Sequence, residues 1–214
     1  MAITAQTITT LFNDTRTLVG DSTSVSNSWT DDQIIAAVNF AVQHYCKITN
    51  VTYLESTIAL NSSGIFTSPT DYIAILRVGY AGQGATYKWL LNSSSKEETM
   101  KNPDWENTTV TSPSEPKRWV MFSGNQIKLT PKLSNWSSGT WYGAIGYVQE
   151  PTNFTVDQLT SAPNTVPDAR IPITHHRHLK YAAAYWLLLV DGDRQDLQNS
   201  QNMMQQFLAL IKED

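Results

Sequence analysis

Ten consecutive residues with no polar face, YAAAYWLLLV at 181–190, constrain this chain more than any other feature. A helix that is apolar all round must be covered on every side, by other helices or by another subunit. Ten residues is half of what a bilayer crossing requires, so a membrane span is excluded. Thr174 is placed to cap a helix running through Val190, and Asp191-Gly192-Asp193 to end it, with Gly192 suited to the C-terminal cap and Asp193 to the next N-cap. The helix that follows is amphipathic: Leu197, Met204, Leu208 and Ile211 share a face, with Phe207 beside it.

The other end of the chain also reads as helix. Ile8, Leu11, Phe12, Thr15, Leu18 and Val19 form one stripe, and a polar loop, Asp21–Ser28, interrupts it. Thr30-Asp31-Asp32-Gln33 then spells a capping box before the stripe Ile34, Val38, Ala41, Val42, Tyr45. The middle changes period. Thr52, Leu54, Ser56, Ile58 and Leu60 alternate, residues 72–80 are rich in β-formers, and residues 141–148 add a strand. Trp119–Phe122 and Ile127–Leu129 flank a hairpin turn at 123–126. Ser95-Lys96-Glu97-Glu98 reads as a second capping box, opening a short helix that Pro103 stops. The expected architecture is α+β: a helical bundle from the N- and C-terminal helices with an inserted β-barrel or sandwich. Its parts are a helical hairpin at 1–49, a mostly-β domain at 50–150, a Pro-rich connection at 151–172 and a second helical hairpin at 173–214.

The chemistry is sparse. A formal charge of −4 argues against a free-standing nucleic-acid binder. The single cysteine, Cys46, excludes a disulfide framework and falls on the buried face of its helix as a small hydrophobe. The first residues, MAITAQTITTLFNDTR, lack the basic start and apolar run of a signal peptide, so none is expected. His175 and His178 have a metal-compatible i, i+3 spacing, but no Glu or Cys stands near to complete a set, and a contact or packing role is favoured. No phosphate-binding, dinucleotide-binding or nucleophile-elbow motif occurs. Neither a cofactor, nor a metal, nor catalysis is expected. Seven tryptophans leave one rival reading, a carbohydrate-recognising tail component using Trp119, Trp136 or Trp141 of the β-domain.

Four segments in order carry a resemblance: WTDDQIIAAVNFAVQHYCK from Trp29, SPTDYIAILRV from Ser68, PKRWVMFSGNQIKLTPK from Pro116, and HHRHLKYAAAYWLLLVDGDRQDLQNSQNMMQQF from His175. Together they resemble the head-to-tail adaptor proteins of tailed bacteriophages, most of all those of short-tailed phages. That resemblance implies a structural virion protein of the neck or tail, assembled in the host cytoplasm. It implies a twelve-subunit ring that meets the portal protein on one side and a tail or nozzle protein on the other. Double-stranded DNA would touch it only in transit through the channel. The candidate subunit or portal interface lies on the closing hairpin: His175, His176, His178, Tyr185, Trp186, Met203, Met204, Phe207 and Ile211. Physical arguments run the same way. Charged residues are only 16%, while 25 Thr, 19 Ser and 14 Asn suit surfaces that neighbours cover, where desolvating charge is costly.

Overall fold

The structure, a computed structural model, describes residues 5–21, 29–60, 64–101, 105, 115–131, 141–191 and 194–212. Two compact units divide the chain: residues up to Thr52 join those from Glu150 onward in one, and Tyr53–Gln149 form the other. Helices lie towards both termini and a sheet lies between them in sequence, so the fold is α+β.

In the helical unit, α1 (Ile8–Leu18) buries Ile8, Leu11, Phe12 and Thr15 of the expected stripe, while Leu18 and Val19 stay half-buried. Thr30 and Gln33 form the expected capping box of α2 (Asp31–Thr49): Gln33 N–H donates to Thr30 Oγ1 (3.3 Å) and Thr30 N–H to Gln33 Oε1 (2.8 Å). The helix ends on Asn50 in the left-handed region, φ 56°, with its N–H on the Cys46 carbonyl.

The apolar run sits in α6 (Leu179–Asp191), which packs against α1, α2 and the closing helix α7 (Arg194–Leu210). Leu179, Ala182, Ala183, Ala184, Leu187 and Leu188 are buried, and the alanine triplet permits close approach. The cover stops at the last turn, where Leu189 and Val190 are exposed. Thr174 is not the cap of this helix. After a one-turn helix α4 (Gln158–Ser161), a separate short helix, α5 (Ile173–His176), follows Pro172, and the chain tightens through Arg177, with His178 N–H on His175 O (2.9 Å) and Tyr181 N–H on His178 O (3.1 Å). Bonds of that span are a 3₁₀-type closure, which breaks the continuous helix that the periodicity suggests. Among the described side chains of α7, Ser200 and Phe207 are fully buried, while Leu197 is exposed. The expected Gly192-Asp193 turn, Trp136 and Pro103 lie outside the described residues.

The β unit comprises β1 (Tyr53–Ala59), β2 (Ile65–Thr67), β3 (Tyr72–Gly82), β4 (Lys88–Asn92), β5 (Arg118–Ser123), β6 (Gln126–Thr130) and β7 (Trp141–Gln149). The order β1-β7-β3-β4-β5-β6-β2 brings β1 and β2 back together, giving a nearly closed barrel. Every pairing is antiparallel except β4–β5. Phe66, Val78, Tyr80, Trp119, Ile127, Leu129, Ile145 and Tyr147 fill the core. Gly143 makes room for Phe66: a Cβ there would lie 3.0 Å from the ring. The β5–β6 hairpin turns through Gly124 (φ 55°) and Asn125, inside the expected four residues.

The short helix α3 (Ser95–Lys101) corrects the second capping box. Its cap is Ser94, whose Oγ accepts from Glu97 N–H at 3.1 Å. Glu98 does not reach back to the cap. It is buried and accepts from Arg118 Nη1 (3.4 Å) and Thr130 Oγ1 (3.3 Å) at the barrel. Ser94→Ala is expected to loosen α3 by about 1 kcal/mol, the usual worth of a cap. Faster amide exchange over Glu97–Lys101, with the barrel unchanged, is the readout.

Candidate interaction surfaces

The structure places the residues of the expected interface in two groups. His175, His176, His178 and Phe207 are buried inside the helical unit. His175 Nδ1 shares a hydrogen bond with the Tyr45 hydroxyl, and its ring meets Tyr45 edge-on at 5.5 Å. His176 Nε2 lies 3.2 Å from the Ile171 carbonyl. Phe207 packs on His44 and Tyr45 at 6.1 and 6.5 Å between ring centres. Tyr185, Trp186, Met203, Met204 and Ile211 are half-buried, so part of each side chain remains available to a neighbour. Tyr185 and Trp186 both lean on Phe40, at 6.3 Å.

Two imidazoles, half-buried His44 and buried His176, give the helical unit a pH dependence. Burial, with Lys47 nearby, holds His44 below its ordinary pKa. Burial, with His175 nearby, does the same to His176, against the hydrogen bond to Ile171. The unfolded chain takes protons near pH 6.5 that the folded unit refuses, so unfolding is favoured as pH falls below that value. Stability from these groups is full above pH 6.5 and declines below it. Melting temperature is expected to fall between pH 7 and about 5.5, before carboxylates titrate, and His176→Gln to flatten that slope.

Cys46 is buried, and burial pushes its thiol up to about 11. Among the described residues no three His, Cys, Asp or Glu side chains group as metal ligands.

Of the tryptophans assigned to sugar recognition, Trp119 is buried in the barrel core and Trp141 packs half-buried against it. Trp89 is exposed instead, on the outer face, with the Arg77 guanidinium 4.1 Å above its ring. Arg77 also donates from Nε to the Tyr53 hydroxyl (2.8 Å) and pairs with Glu55. Gly146 leaves the space: a Cβ there would stand 2.8 Å from Arg77 Cγ. The alternation of Tyr53, Glu55 and Thr57 against Leu54, Ser56 and Ile58 carries the signal for that outer face.

A separate cavity of about 240 Å³ opens at one end of the barrel, lined by Tyr80, Ala81, Gly82, Ala85, Thr86, Lys88, Glu115 and Trp141. Lys88 Nζ donates to both Glu115 oxygens at its rim, at 3.0 and 2.8 Å. The barrel unit also presents Leu91 and Met100 to solvent.

Both units leave apolar side chains exposed, Leu189 and Val190 on α6 and Leu91 and Met100 on the barrel unit. The chain belongs to the SU10 adaptor protein family, whose model matches residues 6–214. It is a bacteriophage adaptor, a structural protein of the virion that meets other virion components. No curated protein matches it. No described helix is long and apolar enough to cross a membrane.

Proposed function

We propose that this adaptor works as a twelve-copy ring, seated between the portal protein and the tail or nozzle of a short-tailed phage, and that it extends the DNA channel. The family match over residues 6–214 carries the reading. The exposed apolar end of α6, Leu189 and Val190, and the half-buried Tyr185, Trp186, Met203, Met204 and Ile211 would be covered by a neighbouring subunit or by the portal. A head-to-tail ring needs two unlike, matching faces on each subunit, and uncovered apolar side chains on both units can supply them. A net charge of −4 opposes phosphate attraction, so DNA would pass without being held. The role includes no catalytic step, and the subunits would gather in the host cytoplasm before joining the particle.

Electron microscopy of particles containing this chain, with no rotational symmetry imposed, tests the proposal. A twelve-fold ring against the portal is expected. A single copy, or a peripheral three-fold position, would sink it.

A further inference from the structure

We propose that neighbouring copies lock barrel to barrel, with Met100 of one subunit entering the cavity walled by Tyr80, Gly82, Lys88 and Trp141 of the next. The inference rests on the ring reading above and names one of its contacts. Met100 is 73% exposed, the most exposed large apolar side chain among the described residues, although it sits on an ordered helix, α3. No described residue of its own subunit covers it. The cavity, in turn, is mostly apolar at its walls, with the Trp141 and Tyr80 rings tilted against each other at 6.1 Å between centres.

Size selects the occupant. About 240 Å³ is below the ~300–1,000 Å³ of pockets that bury a free ligand, yet ample for one unbranched side chain. Methionine is the side chain best able to fill an irregular hole, and its sulfur gains from aromatic walls. Charge agrees with size. Lys96 lies one turn before Met100, on the same face of α3, and its side chain bonds to no described residue of its own subunit. With Met100 inserted, Lys96 would approach Glu115 at the cavity rim. Hole and knob also lie at opposite ends of one strand: β4 begins at Lys88 beside the cavity and ends at Asn92 just before α3. One subunit therefore offers both halves of a heterologous contact and does not satisfy itself, as a ring requires of its subunits; the ring closes when the rotation between copies allows it.

The test is a full-length Met100→Cys/Thr86→Cys variant, taken as assembled particles and oxidised with copper phenanthroline. Thr86 is an exposed residue of the cavity wall. Cys46, buried with its thiol raised to about 11, does not compete at pH 8. A ladder of covalent multimers is expected on a non-reducing gel, and none from either single variant. Particles that show the ring by microscopy but give no ladder overturn this contact and leave the ring reading standing. Particles without a ring overturn both. A Thr86→Cys single variant that crosslinks instead to a different virion protein assigns the cavity to that protein and overturns the proposal. As a second measure, Met100→Glu should leave the melting temperature of the isolated subunit unchanged and weaken self-association at least tenfold. Unchanged association would also overturn it.

Discussion

Leu187→Asp is expected to unfold the helical unit. Leu187 is fully buried at the centre of α6, on a helix that packs against α1, α2 and α7 at once. The substitution removes a packed leucine, which alone costs about 2–5 kcal/mol, and adds a carboxylate with nothing designed to receive it. Together these match or exceed the typical stability of a domain, roughly 5–15 kcal/mol. Trp186, one residue earlier, is only half-buried, so Trp186→Asp should cost less and leave a folded subunit. Circular dichroism melting of the two variants separates them. If Leu187→Asp retained a cooperative transition within a few degrees of the parent, the central placement of α6 would be wrong.

What the sequence made legible is what depends on near neighbours. The Thr30–Gln33 box and the Gly124–Asn125 turn are set by residues three or four apart, and the structure holds both where the pattern puts them. The apolar run likewise demanded cover, and α1, α2 and α7 give it up to Leu188. Where distant residues compete, the pattern misleads. Glu98 fits a capping box by spacing, but Arg118 and Thr130, far along the chain, offer it charge-assisted partners in a buried place. Ser94 then becomes the cap. Lys128 alternates like a surface residue yet is buried, because its ammonium sits over Phe122 and Trp105 at 4.8 and 5.3 Å. No local pattern encodes such a cage.

The site residues divide on the same line. For His175, His176 and His178 the sequence leaves a contact role and a packing role both open, because imidazoles are found inside and outside alike. The tight turn through Arg177 and the Tyr45 hydroxyl take them inward, to packing in this subunit. The same holds for Trp119, a sugar-binding candidate by residue type and a core residue by its position on β5. The barrel-end cavity has no signature in the sequence, because Tyr80, Lys88 and Trp141 meet only through the pairing of β3 with β4 and β7, and Glu115 joins them through its ion pair with Lys88.

Arg16 supplies the second large effect, and nothing in the helical periodicity announces it. It lies on the buried face of α1 at 5% exposure, where its Nη1 donates to Asp21 (2.7 Å) and its Nη2 to Asp31 (2.5 Å). The guanidinium also lies 5.1 Å from the Phe12 ring centre. It thereby ties the end of α1 to the first turn of α2, across residues whose side chains would otherwise repel. Arg16→Met keeps the bulk and removes the charge, leaving the Asp21 carboxylate buried without its cation. Breaking a buried pair from one side costs about 3–5 kcal/mol, most of it the stranded charge. The double variant Arg16→Met/Asp21→Leu removes that stranded charge and should recover most of the loss, since replacing both partners by apolar groups is often near neutral. Denaturant midpoints for the parent, both single variants and the double variant complete the cycle. A double variant as unstable as the sum of the singles would show that Arg16 and Asp21 act separately, leaving Asp31 as the acid through which Arg16 holds α1 to α2.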